Sequence, residues 1–447
     1  MDAISLDTIR ACLEGVIPAT VATCSEDGIP NATYVSQMQY VDSRHVALSF
    51  QFFNRTRQNV LSNPHVTALV IDPQTAAGYR LALLYLRTET DGALFQRMKA
   101  KLAGIASHSG MADVFRLRGS DVYRVLAIER IPGPSIAAPP LRRNLLSALR
   151  AASVRLAECT DVDSICDQAL AALSEEFGIE QALLLMADEP RDRLYTVASR
   201  GYAATGVGSE IAYGDGVIGV AARFRTPIRI NHFTADYGYG RAARGEAVAQ
   251  SLPLEAQIPF PGLPEPHSQL AVPVCAGDRL MAVLCVESPQ DLRFGYDDED
   301  ALVTLAAQLG LALRAAQCEA ESAATDAAPE ITTELPVGRS AEVRHFATDD
   351  SVFLDSDYLI KGVPGAILWK LLRTWQGSGR TSFTNRELRL AATELGLPEV
   401  SDNLEARLLL LRRRLAERCP DLAIERTGRG QFRLHVRRAL ELVDVPD

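Results

Sequence analysis

The chain has 447 residues, 47% of them apolar and 23% charged, with a net charge of −10. That balance excludes collagen-like, low-complexity and wholly disordered chains, and the length suits about three domains. No apolar run near the ~18–20 residues of a membrane span stands out, and the opening Met1-Asp2-Ala3-Ile4-Ser5-Leu6-Asp7 has neither the basic nor the apolar region of a signal peptide, so a cytoplasmic protein is expected. Eight cysteines are scattered without CxxC spacing and the seven histidines form no HxxxH pair, which points to reduced core thiols and no metal site.

Two stretches read as linkers. Residues 132–140 hold four prolines, which forbid a helix interior and a central strand alike. Residues 319–336 (EAESAATDAAPEITTELP) offer almost nothing large and apolar to bury. The chain therefore divides into 1–131, 141–318 and 337–447, a multidomain α+β arrangement. Charge is uneven among these units: 361–438 carries 16 basic against 8 acidic residues, a net +8 inside an acidic chain.

In 1–131 an amphipathic stretch (Leu6, Ile9, Leu13) precedes short β-rich runs at 19–24, 31–39, 45–49, 66–71, 79–89 and 122–129, which predict a small barrel. Between them, Asn54-Arg55-Thr56-Arg57 opens a helix that closes at Asn63-Pro64. Free backbone N–H groups, a positive dipole end and arginine forks are what a phosphate site requires. The segment 42–64 (DSRHVALSFQFFNRTRQNVLSNP) resembles the pyridoxamine 5′-phosphate oxidase-like split barrel, which usually binds FMN across a homodimer interface. The resemblance implies cofactor contacts from Ser49 and Phe50, and a phosphate faced by Arg55, Thr56 and Asn59. Tyr34 and Gln39 stand where the oxidases place a phosphate-binding Arg and Lys, and their C-terminal extension has no counterpart, so pyridoxamine phosphate oxidation is not expected. An empty dimerisation barrel remains open beside a flavin barrel.

In 141–318 two helical stretches (141–158 and 163–177) precede strands at 182–186 and 195–199, a turn into a helix at 214–221, a strand at 227–230, a hairpin of 269–275 with 279–287, and a helix over 297–317. The order of elements, the segment GDGVIGVAARFRTPIRINH at 214–232 and the helix start Phe294-x-x-x-Asp298-x-x-x-Leu302 resemble a GAF domain. Such domains hold small molecules, or nothing, between the sheet and covering loops. The cover here would be 233–268, and Tyr213, His232, Tyr237, Tyr239, Arg241 and His267 would line a ligand pocket, a surface flap being the alternative. Haem ligation by His232 or His267 is a lesser reading, and Cys275 and Cys285 fall on strands. The flanking helices suit pairing between two copies.

In 337–447 a hairpin (352–354 with 358–360) is followed by helices 364–375, 384–395 and 401–418, the second with a Thr384/Glu387 capping box, and by a second hairpin around Thr427-Gly428-Arg429-Gly430. This order resembles the OmpR-type winged-helix DNA-binding domain. The resemblance implies that Asn403 and Arg407 face the major groove, that Arg412, Arg413 and Arg414 meet groove or phosphate, and that Arg429 reaches DNA from the wing. Leu408–Leu411 are four consecutive leucines, so Leu409 or Leu410 must be exposed or bury against another module; a protein partner is the competing reading. The leading expectation is a homodimeric one-component transcriptional regulator that senses a small molecule, cofactor or redox state and binds double-stranded DNA. A flavin-dependent oxidoreductase with regulatory modules and a cofactor-free partner-binding scaffold are the rivals.

Overall fold

A computed structural model describes residues 4–13, 17–35, 38–50, 55–108, 117–138, 144–231, 258–322, 340–391, 395 and 404–445. The first unit is a seven-stranded antiparallel sheet built from β1 (Ala19–Cys24), β2 (Pro30–Val35), β3 (Met38–Asp42), β4 (His45–Phe50), β5 (His65–Ile71), β6 (Gly78–Glu89) and β7 (Gly119–Arg130), in the order β2-β1-β5-β6-β7-β4-β3. The run at 31–39 is thus two strands. On β5 buried and exposed residues alternate strictly, which puts Val66, Ala68 and Val70 in the barrel core. A 3₁₀ helix (Asp7–Leu13) adds Ile9 and Leu13 to that core, as the amphipathic pattern predicts. Helix α1 (Arg55–Ser62) joins β4 to β5. A second helix, α2 (Gly92–His108), absent from the sequence reading, follows β6.

The central unit has one six-stranded sheet, β8 (Gln181–Asp188), β9 (Arg193–Arg200), β10 (Glu210–Ala212), β11 (Ile228–Ile230), β12 (Ser268–Ala276) and β13 (Arg279–Ser288), in the order β10-β9-β8-β13-β12-β11. Helices α3 (Leu145–Ala157), α4 (Val162–Glu175) and α6 (Tyr296–Ser322) cover one face, and α5 (Gly216–Phe224) covers the other. The glycine-rich motif has a steric reason, since a Cβ on Gly219 would lie 2.2 Å from the Ala212 carbonyl oxygen. By length and composition α6 is apolar enough to cross a membrane, which the reading of uninterrupted runs missed because its apolar residues are interspersed. Leu302, Leu305, Leu309 and Leu313 form its buried stripe against the sheet.

The first unit packs on the central one through α2, whose Ala100 and Ala103 lie on the α5 side of the sheet. Gly104 belongs to this contact, because a Cβ there would come within 2.6 Å of Ile228. At the rim of the contact the Arg10 and Arg229 guanidinium groups each sit 4.4 Å from the Tyr296 ring centroid. Arg229 donates to Glu299 at 2.7 Å, and Arg10 to Asp300 at 3.4 Å.

In the C-terminal unit β14 (Ala341–Phe346), β15 (Ser351–Leu354), β16 (Asp357–Ile360) and β20 (Leu440–Val445) form a sheet in the order β16-β15-β14-β20, with β14 and β20 parallel. Neither β14 nor β20 was expected. Helices α7 (Val363–Ser378), α8 (Asn385–Leu390) and α9 (Leu404–Arg418) follow, and β17 (Ser382–Thr384) joins the hairpin of β18 (Leu422–Gly428) and β19 (Gln431–Val436). The capping box forms as predicted, with Thr384 accepting from the Glu387 N–H and Glu387 accepting from the Thr384 N–H. Stacking of His345 on Trp369, at 4.8 Å between ring centroids, ties the sheet to α7.

Burial works against ionisation of Glu299, but Lys101 and Arg229 outweigh it and hold the carboxyl below its ordinary 4.5. Its contribution to stability is therefore complete above pH 4.5 and lost as the pH falls through the lower native value. Glu299→Gln is expected to cost ~3 kcal/mol at neutral pH, because Arg229 is only 5% exposed, and to flatten the acid limb of the stability profile. Urea denaturation at pH 7 and at pH 4 checks both effects.

Candidate functional site

The start of α1 is the first candidate. Arg55 is exposed, and the Thr56 hydroxyl accepts from Asn31 Nδ2 at 2.9 Å. Ser49, half-buried on β4, pairs in the ladder with Ser120 of β7, whose fully buried hydroxyl has no hydrogen-bond partner among the described residues. Asn59 does not face a phosphate: it is 5% exposed and donates to Thr23 at 3.2 Å, so its amide is engaged inside the fold. Arg57 also turns inward, bonding to Asp121 and donating to Thr88 at 2.9 Å, while Thr88 donates to Asp121 at 2.6 Å. Burial opposes the Arg57 charge, yet the Asp121 carboxylate raises its pKa above the usual guanidinium value. Of the basic helix start, one arginine faces solvent and the other neutralises a buried acid.

On the α5 face of the central sheet Tyr213 is partly buried, and its hydroxyl has no hydrogen-bond partner among the described residues. Burial, followed by the nearby Glu189 and Asp192, raises its pKa. His267 is exposed and lies 3.2 Å from Asp291, which places it on the rim. His232, Tyr237, Tyr239 and Arg241 lie outside the described residues. A polar group that the sequence reading missed centres on Glu287, 3% exposed, which accepts from Tyr202 at 3.1 Å, Gln269 at 2.9 Å and the Leu263 N–H at 2.8 Å. Cys285, two residues before it, is fully buried, and burial pushes its thiol well up. Cys12, Cys166, Cys285 and Cys419 are buried; Cys318, unlike a core thiol, is exposed.

The arginines of α9 depart most from expectation. None that was assigned to a groove stands open to one, and Asn403 lies outside the described residues. Arg407 is 3% exposed and pairs with Asp188 of the central unit at 3.1 Å, its guanidinium 5.8 Å from the Tyr195 ring centroid. Arg412 is bonded to Asp163. Arg413 reaches Asp163 at 3.2 Å, Asp167 at 2.6 Å and the Val197 carbonyl at 3.0 Å. Burial works against the Arg413 charge, but these carboxylates hold its pKa above the usual value. Arg414 points into its own unit, donating to the Leu359 carbonyl at 2.8 Å; burial, then Arg418, lowers its pKa. Arg426 pairs with Asp161 at 3.2 Å, and Arg429, expected to reach DNA, is more than half exposed beside Glu319 at 3.5 Å.

The physical reason lies in the leucines. Leu408, Leu409, Leu410 and Leu411 are all less than 10% exposed, so α9 needs cover on more than its own unit's side. The central unit supplies it, and the core is continuous from α3 and α4 through α9 to α7. The signal available in the sequence was the acidic start of α4, Asp161-Val162-Asp163 with Asp167, opposite in sign to an arginine triplet 250 residues away.

Residues 5–126 match the family described as pyridoxamine 5′-phosphate oxidase, and residues 159–314 match the GAF domain family. The first unit is therefore a split barrel of that kind, and the second is a GAF domain. Similar solved structures include the GAF domain of an Acinetobacter phosphoenolpyruvate-protein phosphotransferase (22% identity, 39% of this chain, 94% of that one, TM-score 0.31). Free methionine-R-sulfoxide reductase from Neisseria meningitidis has 21% identity over 39% of this chain and 90% of its own, with a TM-score of 0.30. An FMN-binding protein from Syntrophomonas wolfei subsp. wolfei has 14% identity over 28% of this chain and 88% of its own, with a TM-score of 0.25. No curated protein matches the chain.

Three substitutions separate structural from accessible arginines. Arg57→Ala leaves Asp121, 6% exposed, without its cation and is expected to lower unfolding stability by ~3 kcal/mol, and Arg407→Ala, which leaves Asp188 the half-exposed Arg191 at 3.5 Å, is expected to cost less than that. Arg429→Ala changes stability by no more than ~0.5 kcal/mol. Chemical denaturation of the three variants checks the ranking.

Proposed function

We propose that the chain is a sensor-regulator: the split barrel holds FMN, the GAF domain takes a small ligand or relays the state of the barrel, and the C-terminal unit is a winged-helix output that binds double-stranded DNA. The observation that supports this most is the position of the GAF domain, whose sheet carries the barrel through α5 on one face and the output helix α9 through α4 and β9 on the other. A change at either face is passed to the other through one shared layer.

On the barrel, Arg55, Thr56 and Ser49 would hold the FMN phosphate, with Ser120 opposite Ser49 in the ladder; Asn59, bonded to Thr23, does not join them. FMN, when bound, supplies one- and two-electron redox chemistry, and the chain's own residues bind and orient it. Exposed Leu69, Ile71, Leu86 and Leu126 on β5, β6 and β7 give the barrel an apolar outer face suited to homodimer formation. The output reading draws on the order of strands, three helices and a hairpin in the C-terminal unit.

Titration of the purified protein with FMN tests the sensor half. Flavin absorbance bands that stay with the protein are expected, and Arg55→Ala should weaken retention ~10-fold. A protein that takes up no flavin removes the cofactor from this reading, and steady turnover with NAD(P)H would favour an oxidoreductase instead. Retention of duplex DNA over a salt series tests the output half, with affinity expected to fall steeply as salt rises because each phosphate contact releases counterions.

A further inference from the structure

Every arginine that α9 and the hairpin turn toward the GAF domain meets a carboxylate there. Arg407 takes Asp188, Arg412 and Arg413 take Asp163, Arg413 also takes Asp167, and Arg426 takes Asp161. The pairing is graded: Arg407 and Asp188 are nearly buried, Asp163 is a third exposed, and Asp167 is mostly exposed. We propose that this acidic edge, formed by the start of α4 and the end of β8, competes in cis with the polyanion that α9 binds, so that the docked chain is the closed state of the output unit.

Three observations carry the proposal. Guanidinium forks bind carboxylate and phosphate oxygens through the same paired N–H donors, so the edge presents α9 with the chemistry of a nucleic-acid backbone. The docked residues include those that a groove would need, so docking and duplex binding exclude each other. The seam is also incompletely packed: a small open pocket lies within it, lined by Asp161, Asp163, Asn385, Glu405, Arg412 and Arg426. Val162, Leu408, Leu409, Ile424 and Phe432 line it beside the charged groups, and an opening among ion pairs gives water and competing ions a way in.

Because the competitor is part of the same chain, its effective concentration is high, and the apparent affinity for a duplex is the intrinsic affinity multiplied by the fraction of molecules that are open. The proposal rests on the DNA-binding reading, and the test separates the two. In the full-length chain, Asp163→Arg with Asp167→Arg reverses the edge while leaving the cap residue Asp161 in place. A second pair, Thr205→Cys with Glu417→Cys, replaces side chains that touch across the seam and forms a reversible cross-link on oxidation. Binding of a fluorescein-labelled 30-base-pair mixed-sequence duplex is read by anisotropy, and docking is read by the rate of cross-link formation.

The reversed edge is expected to slow cross-linking and to tighten duplex binding at least ~10-fold, and oxidation of the cysteine pair in that background should abolish the gain. Slow cross-linking with no duplex bound by any variant would overturn the DNA-binding reading and this proposal with it. Wild-type protein that binds the duplex as tightly as the reversed variant, oxidised or reduced, would overturn the competition alone. Unchanged cross-linking and unchanged binding in the reversed variant would show that the acidic edge does not hold the dock, which also overturns the proposal.

Discussion

A sheet that is apolar on both faces has to be covered twice, and the rest of the molecule follows from how that is done. Nine of the ten residues of β13 are buried, so neither side of the GAF sheet can face water. Helices α3, α4 and α6 close one side. On the other side α5 has nine residues, and α2 of the barrel adds Ala100 and Ala103 to the same cluster. The barrel is thus fixed by a need of the GAF sheet, through small residues that let two helices approach closely.

The C-terminal unit is fixed by a need of its own. An ion pair withdrawn from water costs desolvation that its Coulomb attraction only partly returns, so the ion pairs of the four arginines do not by themselves explain why α9 docks. Leu409 and Leu410 supply the area, at ~25 cal/mol for each Å² removed from water, and the pairs set register and orientation. Removing one partner is costly for the reverse reason: the remaining charge stays buried without compensation. Apolar drive and ionic specificity therefore divide the work between them at this seam.

Local patterns revealed local structure. The alternation on β5, the capping box at Thr384 and the glycine-rich start of α5 are set by neighbours within a few residues, and each was legible in the sequence. The parallel pairing of β14 with β20 joins residues about a hundred positions apart, and no short window contains it. Helix α2 escaped notice because Leu94, Met98 and Leu102 are diluted by alanine, glycine and lysine. At the candidate sites, residue type was readable and direction was not: Arg55 and Arg57 look alike on paper, yet Asp121 draws one of them inward. The triplet 412–414 carries the charge of a nucleic-acid contact whether it meets phosphate or aspartate, and only the run of leucines beside it and the acidic start of α4 hinted that a second surface lay close by.

That run also bears on how the protein is made. Because chains fold from the N-terminus as they are synthesised, the GAF domain is already complete when α9 leaves the ribosome, and a prepared acidic, apolar shelf awaits the last helix. A truncated product containing only the final hundred residues would lack that shelf and would carry its leucines into solution, where association with other copies becomes the available means of hiding them.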